Sequence, residues 1–221
     1  MNYDDIEPSY VNLASTISLG IVSPYNVELE NVLDGVVHSA MQNEAEIYLM
    51  DNMDSALKKY AGFQQVSSYS RIGESYCAAL SEVYDKVKER YENEAQSDDS
   101  MLEKEKLILV LAHGNDFVET INSNKIALEQ FKQITTKYKN MKVCFVISGI
   151  ENNRIPIMGA DVLKTVRDNN KLLILEDLRN LKVIDISPSL TRKYREGRKE
   201  YDVYFYADNE LQRIKTVQHI Q

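Results

Sequence analysis

The run Leu107-Ile108-Leu109-Val110-Leu111-Ala112 is apolar at every position, so an extended strand made from it has no polar face. Such a strand belongs in the middle of a parallel sheet with helices covering both sides. The segment KVCFVIS at 142–148 reads as a second buried strand. Strands of this kind need helices that bury one stripe each, and residues 16–41 supply the pattern. Ile17, Leu19, Ile21 and Val22 form a strand, and Ser23-Pro24-Tyr25-Asn26 a turn. Apolar residues then recur at 29, 32, 33, 36, 37, 40 and 41, which is the i, i+3, i+4, i+7 spacing of an amphipathic helix. Asn26 is one candidate cap for that helix; Ser23, with Pro24 at the first helical position, is a second.

The remaining chain continues the alternation. A strand is expected at 46–51, ending in Asp51-Asn52, then a brief helix at 54–61 and an ambiguous stretch at 63–73 in which Ser67, Ser68 and Ser70 favour a loop. A long helix at 74–93 carries the stripe Tyr76, Cys77, Leu80, Val83, Tyr84, Val87 and Tyr91. The charged segment 92–106, with a turn at Ser97-Asp98-Asp99-Ser100, reads as a surface loop. The strand 106–112 leads to His113-Gly114-Asn115-Asp116 and a helical region at 116–139, broken near Asn122-Ser123-Asn124. After the strand at 142–148 and Gly149 come a short helix at 161–168 and strands at 171–175, 183–186 and 201–206. Tyr201, Val203 and Phe205 alternate with Asp202, Tyr204 and Tyr206, which suits an exposed antiparallel edge. Strands alternating with helices imply a doubly wound α/β domain with right-handed crossovers and a mainly parallel sheet. Residues 13–221 are assigned to this domain, and 1–12 to a linker or edge segment.

Charge and composition narrow the function classes. A net charge of −8 argues against binding nucleic acid through the overall field, and 43% hydrophobic residues support a core in a chain of 221 residues. No apolar run reaches the roughly 20 residues of a membrane span, and the first ten residues are too polar for a signal peptide. Cys77 and Cys144 lie in apolar periodic contexts and read as buried free thiols. The chain is expected to be cytosolic and soluble.

Strand, turn and helix at 16–41 form the scaffold of a phosphate-binding loop, but the working residues differ. Such a loop needs glycines whose backbone N–H groups wrap the anion, followed by Lys and Ser/Thr at the helix start. The positions to test are Ser23, Pro24, Tyr25, Asn26, Glu28, Leu29 and Glu30, and no glycine is among them. With helix starts superposed, Leu29 stands in the place of the Lys and Glu30 in that of the hydroxyl. Glu28 and Glu30 answer the helix dipole internally and repel phosphate. A Leu29→Lys, Glu30→Thr exchange would supply cation and hydroxyl without the glycines, and is expected to fold without turnover. An ATPase also needs carboxylates closing the strand 107–112 to hold Mg²⁺, and Leu111 and Ala112 occupy those places. Asp116 is the nearest acid.

No recognisable Cys, Ser or paired-carboxylate pattern accompanies His113, so it reads as a structural or surface histidine. His38 and His219 are given no chemistry, and the three histidines lack metal-ligand spacing. The basic run Arg192-Lys193-Tyr194-Arg195-Glu196-Gly197-Arg198-Lys199 reads as a solvated loop or, more sharply, as a contact for an acidic partner or neighbouring module.

The order of the strand with its altered phosphate loop, IYLMDN, a long helix, LILVLAHGNDF, a helix and KVCFVISGI resembles the FtsK/SpoIIIE-type ATPase modules of type VII secretion coupling proteins. It is most similar to the last module of the EssC-like proteins, over about residues 13–218. The resemblance implies a three-layer P-loop NTPase-like (RecA/FtsK-type) fold, within a membrane-anchored parent ATPase and on the cytoplasmic side of the membrane. It implies as partners the adjacent ATPase modules of the same chain and secreted WXG100-type helical-hairpin proteins. An intact module would carry a Gly-rich loop with Lys at 23–30 and acids at 111–112. For this module the departures imply no catalytic residue, no metal and no bound cofactor, and a role in substrate recognition, module contact or regulation. Two other readings remain open: an active ATPase with an atypical phosphate loop, and a stand-alone regulatory scaffold domain. Tyr201, Tyr204 and Tyr206 favour a protein partner that lays an amphipathic helix or flexible tail into a groove.

Overall fold

A computed structural model describes residues 11–23, 27–96, 101–155 and 161–216. The expected cap Asn26, its neighbours Pro24 and Tyr25, the turn at 97–100 and His219 lie outside the described residues, as do residues 1–10 of the expected linker.

The strands are β1 (Ser18–Val22), β2 (Glu46–Met50), β3 (Val66–Ser70), β4 (Ile108–His113), β5 (Val143–Ile150), β6 (Lys171–Ile174), β7 (Asp202–Ala207) and β8 (Glu210–Lys215). The helices are α1 (Val27–Gln42), α2 (Gly73–Gln96), α3 (Asn115–Ser123), α4 (Lys125–Thr136), α5 (Val162–Asp168) and α6 (Pro188–Thr191). The strands form one sheet in the order β3-β2-β4-β5-β1-β6-β7-β8. It is parallel from β3 through β6 and antiparallel at β7 and β8. This is the mainly parallel, three-layer α/β architecture expected from the sequence.

Alternation along the central strands feeds two cores. Leu109 and Leu111 of β4, with Cys144 and Val146 of β5, meet Leu29, Leu33 and Val37 of α1 on one face. Ile108, Val110 and Ala112 turn the other way with Phe145 and Ile147, toward the apolar stripes of α2 to α5, which include Leu80, Phe117, Phe131 and Val166. All six residues of β4 are buried, which is why its sequence shows no polar period. The break between α3 and α4 falls at Asn124, whose side chain accepts from the N–H groups of Ile126 and Ala127 and so caps α4.

Gly20 in β1 allows a close approach of α5 to the sheet. A Cβ there would lie 2.7 Å from Val166 Cγ1 of α5 and 2.7 Å from Leu172 Cδ2 of β6. Gly20→Val is therefore expected to cost about 3 kcal/mol of stability through overpacking, read from urea denaturation. A midpoint unchanged from wild type would mean that α5 does not pack on β1 as described.

Several local expectations are corrected. Residues 66–70 form an edge strand rather than a loop, because a parallel edge tolerates the serines that a central strand would not. Residues 54–61 contain a 3-10 turn, Lys58–Tyr60, in place of a helix. Residues 183–186 form no strand: Val183 packs into the core, but the segment runs irregularly after a 3-10 turn at Leu178–Asn180. The strand near 201–206 is antiparallel as expected but is neither exposed nor an edge. Asp208 and Asn209, both at positive φ, turn the chain into β8, which pairs with β7 along its length. Tyr204 and Tyr206 are consequently buried, and the ring of Tyr194 lies 5.3 Å from that of Tyr204. Tyr204 and Tyr206 supply no exposed aromatic surface, and of the three tyrosines that favoured a partner only the half-buried Tyr201 reaches solvent.

Candidate functional site

Ligands of doubly wound sheets bind outside the carboxyl ends of the strands. Here the relevant ends belong to β1, β2, β4, β5 and β6. β1 ends at Val22, whose carbonyl accepts from Leu175 N–H at 2.8 Å, and Ser23 N–H donates to Ile150 O at 3.2 Å. The first turn of α1 carries Glu28 and Glu30. Glu28 is taken up internally. Arg198 donates to both of its carboxylate oxygens, and Tyr201 N–H donates to Oε1 at 3.0 Å. Arg198 Nε also donates to the carbonyl of Leu175 at 2.9 Å. The basic run was expected to be solvated or to meet an external partner. Arg192, Lys193, Arg195 and Lys199 are exposed, as the solvated reading expected, but Arg198 pairs with Glu28 170 residues earlier in the chain, and no local signal in the sequence marks that pairing.

Leu29 is completely buried in the core between α1 and the sheet. It lies in the first turn of α1, and its side chain turns inward. A lysine there would have to place its ammonium among apolar side chains, so the expectation that Leu29→Lys folds normally is withdrawn. Leu111 and Ala112 are also fully buried and face opposite cores, Leu111 toward α1 and Ala112 toward α2. Asp116 lies in the first turn of α3 and is exposed.

His113 is 1% exposed. Its Nδ1 lies 2.9 Å from Ser148 Oγ, and that hydroxyl lies 3.3 Å from the Ala112 carbonyl. With Ser148 donating to the carbonyl, the imidazole Nδ1–H donates to Ser148. Burial lowers the His113 pKa, against the opposing influence of Asp51, Asp54 and Glu30, so the ring is neutral near pH 7. Nothing in the sequence marks Ser148 as its partner; the pairing exists because β4 and β5 are neighbours in register. Both side chains are buried and the hydroxyl is spent on a carbonyl, which makes them a brace between strand ends rather than a nucleophile and base. Two glycines flank this brace. Gly114 (φ +86) and Gly149 (φ +68) meet so closely that a Cβ on Gly149 would lie 3.3 Å from Gly114 Cα.

Asp51, at the end of β2, is fully buried. Its carboxylate accepts from the N–H groups of Asn52 and Leu57, each at 3.0 Å, and from the Tyr69 hydroxyl at 2.8 Å. Tyr76 of α2 donates to the Asp51 backbone carbonyl, and burial chiefly pushes its phenol pKa up to about 12. Asp51 therefore holds a loop together. Among the described residues no group of three or more His, Cys, Asp or Glu side chains could hold a metal ion, and no helix is long and apolar enough to cross a membrane. Both cysteines are free thiols; Cys144 is buried as expected, whereas Cys77 is only half-buried.

No protein-family model and no curated protein matches this sequence. Solved structures do. ATPases 2 and 3 of EssC from Geobacillus thermodenitrificans match 94% of this chain with a TM-score of 0.75 at 15% identity, and the chain covers 38% of that structure. The cytoplasmic domain of the Thermomonospora curvata type VII secretion ATPase EccC matches 99% of it, with a TM-score of 0.73 at 10% identity and 26% of that chain covered. ATPases 2 and 3 of the same EccC, in complex with a signal sequence peptide, match 99% with a TM-score of 0.70 at 10% identity and 40% covered. The chain has the fold of these ATPase modules and spans well under two thirds of each structure.

Proposed function

We propose that this chain is a module of a type VII secretion coupling protein that has given up nucleotide hydrolysis and serves module contact, substrate recognition or regulation. The observation that carries this reading is the state of the strand ends. Where the chemistry of an ATPase would need a cation and acids facing a ligand, Leu29, Leu111 and Ala112 are core residues, and Glu28 is held by Arg198. The shared fold supports the setting, because the matching structures are multi-ATPase chains and one holds a signal sequence peptide. The partners proposed are the adjacent ATPase modules of the same chain and secreted helical-hairpin proteins of the WXG100 type. The place proposed is the cytoplasmic side of the membrane, within a membrane-anchored parent.

Titration calorimetry of the chain with Mg-ATP and with ADP is expected to show no heat of binding in the micromolar range. A clear micromolar signal that disappeared on mutating residues 24–30 would overturn the reading. In the same preparation, an NMR titration with the neighbouring module or a secreted hairpin protein is expected to shift resonances, and no shift from any of them would leave a structural role alone.

A further inference from the structure

The run 192–199 holds five cations against the single acid Glu196, a local excess of four positive charges in a chain of net −8. It is fixed to the sheet rather than loose. The Tyr194 ring lies 5.3 Å from that of Tyr204, and its hydroxyl donates to the Leu211 carbonyl at 3.0 Å. Gly197 is buried, and Arg198 is tied to Glu28 and to the Leu175 carbonyl. Around these anchors Arg192, Lys193, Arg195 and Lys199 are exposed, and among the described residues no carboxylate forms an ion pair with any of them. The complement lies on α2. Glu82, Asp85, Glu89 and Glu92 are exposed, and their spacing i, i+3, i+7, i+10 sets them on one stripe opposite the buried Leu80, Val83 and Val87. Lys86 lies 3.3 Å from Glu82 and Lys88 4.0 Å from Glu92, but Asp85 and Glu89 form no ion pair among the described residues. The stripe covers about 15 Å of helix. α2 packs beside β3, the first strand of the sheet order, and the basic run packs on β7 and β8, the last two. About 30 Å of sheet separates them, so within one chain the two faces do not meet.

We propose that the basic run docks on the acidic α2 stripe of a second copy of this chain, head to tail. The two faces are opposite in sign, and each presents charges left without a partner in its own chain. The anchors at Tyr194 and Arg198 hold the cations in place before contact, so little ordering is left for docking to impose. Whole copies of net −8 repel one another, so the contact holds through local complementarity alone and is weak and sensitive to salt. Because the joined faces are unlike, each assembly keeps a free run at one end and a free stripe at the other, and growth passes two copies unless a ring closes. This goes beyond the role proposed above, which takes other proteins as partners and does not require a second copy.

Sedimentation of the whole chain at about 0.3 mM, a concentration suited to a weak contact, tests it. The mean mass is expected to exceed the monomer and to rise with concentration in about 20 mM salt, and to return to the monomer in about 0.5 M salt. Two charge-reversed variants locate the faces: Lys193→Glu with Arg195→Glu, and Asp85→Lys with Glu89→Lys. All four side chains are exposed and unpaired among the described residues, so both variants should melt like wild type. Each alone should be monomeric at low salt. The second pair takes the net charge from −8 to −4, so its loss of association does not come from overall repulsion. An equimolar mixture of the two variants should associate again, because each restores the complement of the other. Lys193→Gln with Arg195→Gln removes charge without reversing it and should weaken association about tenfold. A wild-type chain that is monomeric at low salt overturns the proposal, and so does association that salt leaves unchanged. Wild-type association in any one variant alone, or a monomeric mixture of the two reversed variants, overturns it as well.

Discussion

Leu111→Asp is expected to abolish cooperative folding or to cost upward of about 4 kcal/mol, although it restores the kind of residue that an ATPase carries at this strand end. Leu111 is completely buried between β4 and α1, among Leu29, Leu49, Leu109 and Val146. A carboxylate there has no cation to meet, and an unpaired buried ion costs several kcal/mol even after relaxation. That is comparable to the whole net stability of a domain, about 5–15 kcal/mol. The charge would escape by taking up a proton in the folded state, where burial raises the carboxyl pKa, so the loss should shrink as pH falls below that raised value and level off near about pH 4, where the unfolded carboxyl also protonates. Leu29→Lys belongs to the same class and should fail for the same reason with the opposite sign of charge. Thermal melts followed by circular dichroism, with Leu111→Asn as the uncharged control, read the effect. A Leu111→Asp protein as stable as wild type would mean that this end of β4 is open to solvent rather than packed under α1. The physical consequence is that one substitution alone cannot place a carboxylate at this strand end.

Asp51→Ala is expected to cost about 4 kcal/mol, because its buried carboxylate accepts three hydrogen bonds. Its carboxylate satisfies the Leu57 N–H and the Tyr69 hydroxyl through one oxygen and the Asn52 N–H through the other. Removing it strands donors inside the protein, each at about 1–3 kcal/mol. The loop from 52 to 60 should loosen with it, because Leu57 and Tyr60 are buried against the α1 core through that anchorage. Urea denaturation gives the magnitude, and a double-mutant cycle gives the cause. Tyr69→Phe in the Asp51→Ala background removes one stranded hydroxyl and should recover about 1 kcal/mol, whereas in the wild type it should destabilise. Additive losses in the cycle, or a cost of Asp51→Ala below about 1 kcal/mol, would show that the carboxylate is not the hub of this loop.

Much of the architecture is legible in the residues because it is written in short periods. The unbroken apolar run of β4, the stripe 29, 32, 33, 36, 37, 40 on α1 and the break at Asn124 are each decided within about ten residues, the range over which pleat and helix period act. The missing glycines of the first turn and the apolar ends of β4 are equally local. The failures have local causes too. β3 was hidden by serines that an edge strand tolerates, and β8 by an Asp-Asn turn lacking the glycine that usually marks a two-residue hairpin.

By itself, then, the sequence determined an α/β sheet with buried central strands, and a first strand, turn and helix without the side chains of a phosphate site. Only the tertiary structure decided which distant residues meet there. Arg198 closes on Glu28, Ser148 braces His113, and Tyr204 is buried rather than offered to a partner. The reason is that strand order, set by the packing of the whole sheet, brings β4 beside β5 and β6 beside β1. Contacts across those neighbours obey no sequence period, so they become visible only once the sheet is assembled.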